Sequence, residues 1–125
     1  MKSDSSLSEL THARGGSSDG VVLLADLAGR LLDTARAHAS QRAAETISSG
    51  PSMRATVIAL AAGAELAEHE SPPAATLQVI SGQARLHTAA LAWLLHDGEI
   101  VTIPPERHAL SAITDTVVLL TVALH

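Results

Sequence analysis

The amino-acid sequence predicts one small, mainly β domain, an antiparallel sandwich or barrel, with an amphipathic helix in front of it. Three observations carry this. Beyond Arg54 the apolar residues fall into short segments: Ala55–Ala61, Leu77–Ile80, Leu91–Leu95, Ile100–Ile103 and Val117–Leu124. Turn-forming residues separate them, namely Gly63, Pro72 with Pro73, Gly82, Asp97 with Gly98, Pro104 with Pro105, and Asp115. Short strands with turns about every 8–12 residues belong to sandwiches and barrels. No long helical period lies between the segments, so parallel βαβ units are excluded. The 125 residues suit a single core and are too few for two ordinary domains. Apolar residues are 46%, too many for wholesale disorder. One Trp and no Phe or Tyr mean that the core is built from Leu, Val, Ile and Ala.

Taken in order, residues 1–20 are rich in Ser, Gly and charge (Ser3, Asp4, Ser5, Ser6, Gly15, Gly16, Ser17, Ser18) and read as a mobile tail. Over residues 21–38, Leu24, Leu27, Ala28, Leu31, Leu32 and Ala35 follow the spacing of one helix face. Asp26, Arg30, Asp33 and Arg36 take the other side, Ser18 or Asp19 is placed to cap the start, and His38 closes the end. A polar face of mixed sign suits packing on the rest of the domain, or on a second subunit, better than a membrane surface. The expected boundaries are a tail over 1–20, a helix with a connecting segment over 21–50, and a barrel over 51–125.

Composition narrows the function classes. The net charge of -5 comes with no basic patch, and base-stacking aromatics are almost absent, so a nucleic-acid partner is not expected. Without cysteine there is no disulfide, thiolate metal site or cysteine nucleophile. No apolar run follows Lys2, and no apolar stretch approaches the roughly 18 residues of a membrane span. The expectation is a cytoplasmic protein. There is no Gly-rich phosphate loop and no G-x-S-x-G elbow.

Two blocks carry a family resemblance. The first runs Gly63, five residues, His69, Glu70, Ser71, three residues, Ala75, six residues, Gly82. The second runs Gly98, five residues, Pro104, Pro105, Glu106, Arg107, His108, three residues, Ala112. Residues 83–97 separate them. In this register, residues 57–124 resemble a cupin, the small jelly-roll β-barrel. The resemblance implies an all-β antiparallel barrel, with the amphipathic helix lying outside the matched region. It also implies a site at the motif positions. Metal-binding cupins use two histidines and a glutamate of the first block and a histidine of the second. Here only His69 and His108 stand at such positions. Ser71 replaces the second histidine. Ala75 replaces the glutamate, or Thr76 does if the gap is one longer. Glu106 stands for a glycine in a turn one residue shorter, and Ala112 for an asparagine.

Alternation puts His69 and Ser71 on one face, and Ala75 and Leu77 on one face of the next strand. If these faces line the barrel, His69, Ser71 and His108 converge, in a pocket with Ala75, Leu77, Val79 and Trp93. Two imidazoles and a hydroxyl make a poor set for a divalent ion. The cofactor expectation is therefore none, or a single Fe, Mn, Zn or Ni ion on His69 and His108, with His87 or Glu70 as the nearest extra ligand. Three functions stay open. One is a small-molecule-binding cupin with a reduced metal site, including a metal-independent enzyme using the histidines as acid and base. Another is a metal-dependent oxygenase or isomerase. The last is a non-catalytic sensor or accessory protein. A homodimer is expected from the apolar helix and outward apolar residues such as Ile80. His87, His96, Arg85 and Gln78 are expected at the surface, and Glu65, Glu68 and Glu70 along a solvated edge.

Overall fold

The computed structural model describes residues 20–69 and 74–124, with the backbone alone at 68 and 69. The expected tail and Ser18 or Asp19 therefore lie outside the described residues, as do Glu70, Ser71, Pro72 and Pro73. Among the described residues the chain forms helix α1 (Leu24–Ala37) and nine strands. These are β1 (Arg42–Ser49), β2 (Met53–Leu60), β3 (Glu65–His69), β4 (Ala75–Ser81), β5 (Gln83–His87), β6 (Ala92–His96), β7 (Ile100–Thr102), β8 (His108–Ala112) and β9 (Thr116–Ala123). They build two antiparallel sheets, in the orders β1-β2-β9-β4-β7 and β3-β8-β5-β6. No helix among the described residues is long and apolar enough to cross a membrane.

Period-2 alternation divides the apolar residues between two cores. Between the sheets lie Ile58 and Leu60 of β2, Leu77 and Val79 of β4, Ala84 and Leu86 of β5, Leu110 of β8, and Val118 of β9. The alternate residues Val57, Ala59 and Val117 point the other way, where Leu27, Ala28, Leu31 and Ala35 of the helix bury them. Strands β2 and β9 are thus apolar on both faces, so their sequence reads as a continuous run. Ile80, expected to face a partner, packs partly buried in this second core. The helix's apolar stripe is likewise spent on its own sheet.

Two sequence expectations are corrected. The segment taken as a connection up to residue 50 contains β1, paired with β2 from Arg42↔Leu60 to Ser49↔Arg54 through a bulge. It is an edge strand in which only Ala43 and Ile47 are half-buried, so little alternation is visible in its sequence. The helix, expected from residue 21, begins at Leu24 behind Leu23, which makes no side-chain cap. Its other end is closed by Gln41, which sits at φ 60°. The Gln41 Nε2 donates to the carbonyls of Arg36 and His38 at 3.2 and 3.1 Å. These are carbonyls that a helix C-terminus leaves unsatisfied.

Hydrogen bonds seal one end of the barrel. Asp115 joins three elements there. Its Oδ1 accepts the Ala62 N–H at 2.8 Å, and its Oδ2 pairs with Arg36 of the helix at 2.7 Å. Those two partners, the amide first, hold its carboxyl below the usual aspartate range. The Gly63 N–H donates to Ala112, and the Ile113 N–H to Gln83, both at 2.9 Å. Thr116, fully buried, lies with its Oγ1 at 2.8 Å from the Gln83 carbonyl and 2.7 Å from that of Thr114. The first residue of β8 and the last of β3 lie at the opposite end.

Candidate functional site

That opposite end carries the two motif histidines. The β3–β8 ladder pairs Glu65↔Ser111 and Leu66↔Leu110, passes through an irregularity, and then pairs His69↔His108. Residues thirty-nine positions apart in sequence (108 − 69) are thereby direct cross-strand partners. The extra residue admitted between Leu66 and His69 sets this register, as bulges do.

His108 is 2% exposed. Its Nδ1 lies 2.9 Å from the carbonyl of Glu106. A carbonyl only accepts, so Nδ1 carries a proton and donates it to that oxygen. The short turn after Pro104 and Pro105 supplies that carbonyl. Glu106, at a position where cupins have glycine, orients the ring through its backbone and keeps its side chain exposed.

The ring borders a cavity of about 20 Å³ inside the barrel. The other lining residues are all aliphatic: Leu66, Leu77, Leu86, Leu110 and Leu120, with Ile58 and Ile103. This is little more than the space of one water molecule, which would also need several polar partners to settle there. Branched side chains make up most of this cavity's lining, and His108 is the polar group in it.

The structure places the residues of the expected pocket as follows. Leu77 lines the cavity. Ala75 and Val79 are buried in the same core, and Trp93 packs half-buried against it. Ser71 lies outside the described residues, and of the His69 side chain only the backbone position is described. His87 is corrected as a candidate ligand. It alternates with Leu86, pairs with Ala109 and stands on the outer side of its sheet. Thr76 likewise cannot serve for Ala75. It points outward between Ala75 and Leu77, into a surface groove of about 300 Å³ shared with Thr102 and Thr121. Leu66, Leu86, Leu110 and Leu120 were not singled out from the sequence, because nothing distinguishes them there from ordinary core leucines.

A divalent ion needs three or more converging donors, usually with an anionic one. Among the described residues no group of three His, Cys, Asp or Glu side chains converges. At the position of the carboxylate stands Ala75, 5% exposed and part of the apolar core. Among the described residues the donor set does not fit a resident metal.

No family model matches the chain, and no curated protein matches it. Solved structures do. A conserved protein of unknown function from Streptococcus pyogenes is 26% identical, with a TM-score of 0.64 over 70% of this chain and 78% of that one. A cupin superfamily protein from Desulfitobacterium hafniense matches at 13% identity and a TM-score of 0.65, over 70% and 82%. A cupin-2 domain protein from Shewanella frigidimarina matches at 14% and 0.64, over 86% and 98%. Two antiparallel sheets closed at one end, with a buried histidine at the other, define a small β-barrel domain. Its fold is the cupin fold.

Proposed function

We propose that this cupin domain binds a small organic molecule at the histidine end of its barrel, with His69 and His108 as the polar contacts. The observation that carries the reading is His108 itself. It is buried, oriented by the Glu106 carbonyl, and set among seven aliphatic residues. A few well-placed polar groups in an apolar surround are what small-molecule sites use to fix orientation. The molecule would approach from the barrel mouth and present an apolar edge to Leu66 and Ile103, which line the cavity beside His108. Two imidazoles at one site are also suited to moving a proton on a bound substrate, which is the metal-independent enzyme version of this reading.

The test is a binding screen of neutral and weakly acidic organic molecules against the unmodified chain, followed by His108→Leu. Leucine keeps the apolar packing and removes the ring nitrogens. Affinity for any ligand found is expected to fall at least about tenfold, roughly 1.4 kcal/mol. Arg85→Ala, on the exposed outer side of the sheet, leaves it unchanged. Equal affinity for His108→Leu and the parent would overturn the proposal.

A further inference from the structure

We infer that this chain pairs weakly with a second copy of itself, independently of what its histidine end binds. The contact is the outer face of the four-stranded sheet, with Glu65 of each copy against Arg85 of the other.

The helix lies on the five-stranded sheet, against β1, β2, β4 and β9. In the four-stranded sheet, Leu66, Leu86, Leu95 and Leu110 take the inner side, and alternation turns their neighbours outward. One ladder row crosses all four strands on that outer face. It runs from Glu65 on β3 through Ser111 on β8 and Arg85 on β5 to Leu94 on β6. Glu65 and Arg85 are exposed, and Leu94 is left 54% exposed in mid-strand. Ile113, two residues beyond Ser111, continues the outward set of β8 and is also exposed. Single exposed apolar residues are ordinary on a surface, so the charges decide.

The order of those charges is self-complementary. Glu65 and Arg85 stand on either side of Ser111, two strand spacings or about 10 Å apart. Within the chain Glu65 accepts the Ser111 hydroxyl at 3.0 Å, and among the described residues Arg85 enters no ion pair. A twofold axis laid along β8 over Ser111 exchanges the two positions. Each Glu65 then faces the Arg85 of the other copy, and Ser111 faces itself. Such a contact is isologous and closes at two copies. The outward residues of β8 under the axis, Ala109 and Ser111, are small. They let two sheets approach to the ~10 Å of face-to-face packing, a gap that an extended Arg and Glu span together. Leu94 lies one strand spacing beyond Arg85, so it comes over the edge strand β3 of the other copy.

Size sets the strength. Each of the four strands has five residues. At about 4.8 Å between strands and about 3.4 Å per residue the face measures roughly 19 by 17 Å. That is well short of the ~800 Å² per partner of a standard interface, so the pair is weak and reversible. The two charge contacts fix its register more than its affinity.

The experiment is sedimentation velocity on the full chain at low salt, from about 10 μM to about 1 mM, where a weak contact becomes populated. The parent is expected to move from monomer towards dimer across this range. Arg85→Glu makes both positions acidic, and Glu65→Arg makes both basic. Each variant alone is expected to associate at least about tenfold more weakly, since like charges now oppose each other. An equimolar mixture of the two is expected to associate again, because both contacts of the mixed pair join opposite charges. A contact elsewhere on the molecule gives no such recovery. Circular dichroism checks that the variants fold. Arg85→Ala takes the place of a reversal that does not, with weaker pairing still expected. A parent that stays monomeric throughout, a dimer indifferent to Arg85→Glu, or a mixture no stronger than its components would overturn the inference.

Discussion

Gly82→Ala is expected to destabilise the domain by about 3 kcal/mol or more, combining left-handed strain of about 1–2 kcal/mol with overpacking of about 1–3 kcal/mol. Gly82 joins β4 to β5 at φ 101°. A Cβ there would press on the Asp115 carbonyl and lie 2.7 Å from Thr116 Oγ1 and 2.8 Å from Thr116 Cα. The atoms it meets are mostly backbone, at the hydrogen-bonded end of the barrel, where Thr116 is fully buried. The Gly82 N–H is also committed, to Asp97 Oδ1 at 2.6 Å. The chain therefore cannot relieve the collision by swinging the turn outward without giving up bonds on both sides. Urea unfolding followed by circular dichroism measures the loss. A change within about 0.5 kcal/mol of the parent would mean that the turn is not built as described.

Leu86→Ala is expected to cost about 2–5 kcal/mol, the range for truncating a well-packed core leucine. Leu86 is 1% exposed, sits on β5 and lines the cavity beside His108. Both of its ladder partners, Trp93 on β6 and Leu110 on β8, belong to or pack on the same core. Backbone pairing on both sides limits collapse, so most of the lost volume remains as cavity. The same substitution is expected to let the interior admit a small apolar probe such as benzene, which the parent excludes. A loss below about 1 kcal/mol would show that the barrel interior relaxes freely and that its small cavity is not a fixed property of the site.

Much of the fold is legible in the sequence, for reasons these residues illustrate. Ala75, Leu77 and Val79 alternate with Thr76, Gln78 and Ile80, and the structure buries the first set between the sheets. The helix stripe from Leu27 to Ala35 meets Val57, Ala59 and Val117 as an amphipathic face should. Strand β1 was not legible, because an edge strand with two half-buried side chains shows no period. Nor did the sequence show that the helix would cover Ile80, since an apolar residue on an outer face reads the same whether its cover is a helix or a second subunit. The histidine pair was legible only through its spacing in two blocks. Its position in the ladder depends on the irregularity between Leu66 and His69, which no residue type announces. The small size of the cavity beside His108 was not legible either. The volume between two sheets is fixed by how side chains interdigitate, and a pattern of leucines does not state it.

The most direct measurement is of the His108 ring nitrogens, by long-range proton–nitrogen correlation NMR on the labelled full chain. The predicted result is a proton on Nδ1, as the Glu106 carbonyl requires. The ring's nitrogen shifts are expected to move in His69→Ala and to stay in place in His96→Ala, which alters the exposed β6–β7 turn. A ring protonated on Nε2 alone, or one indifferent to His69→Ala, would contradict the claim that the two histidines form one site at the mouth of the barrel.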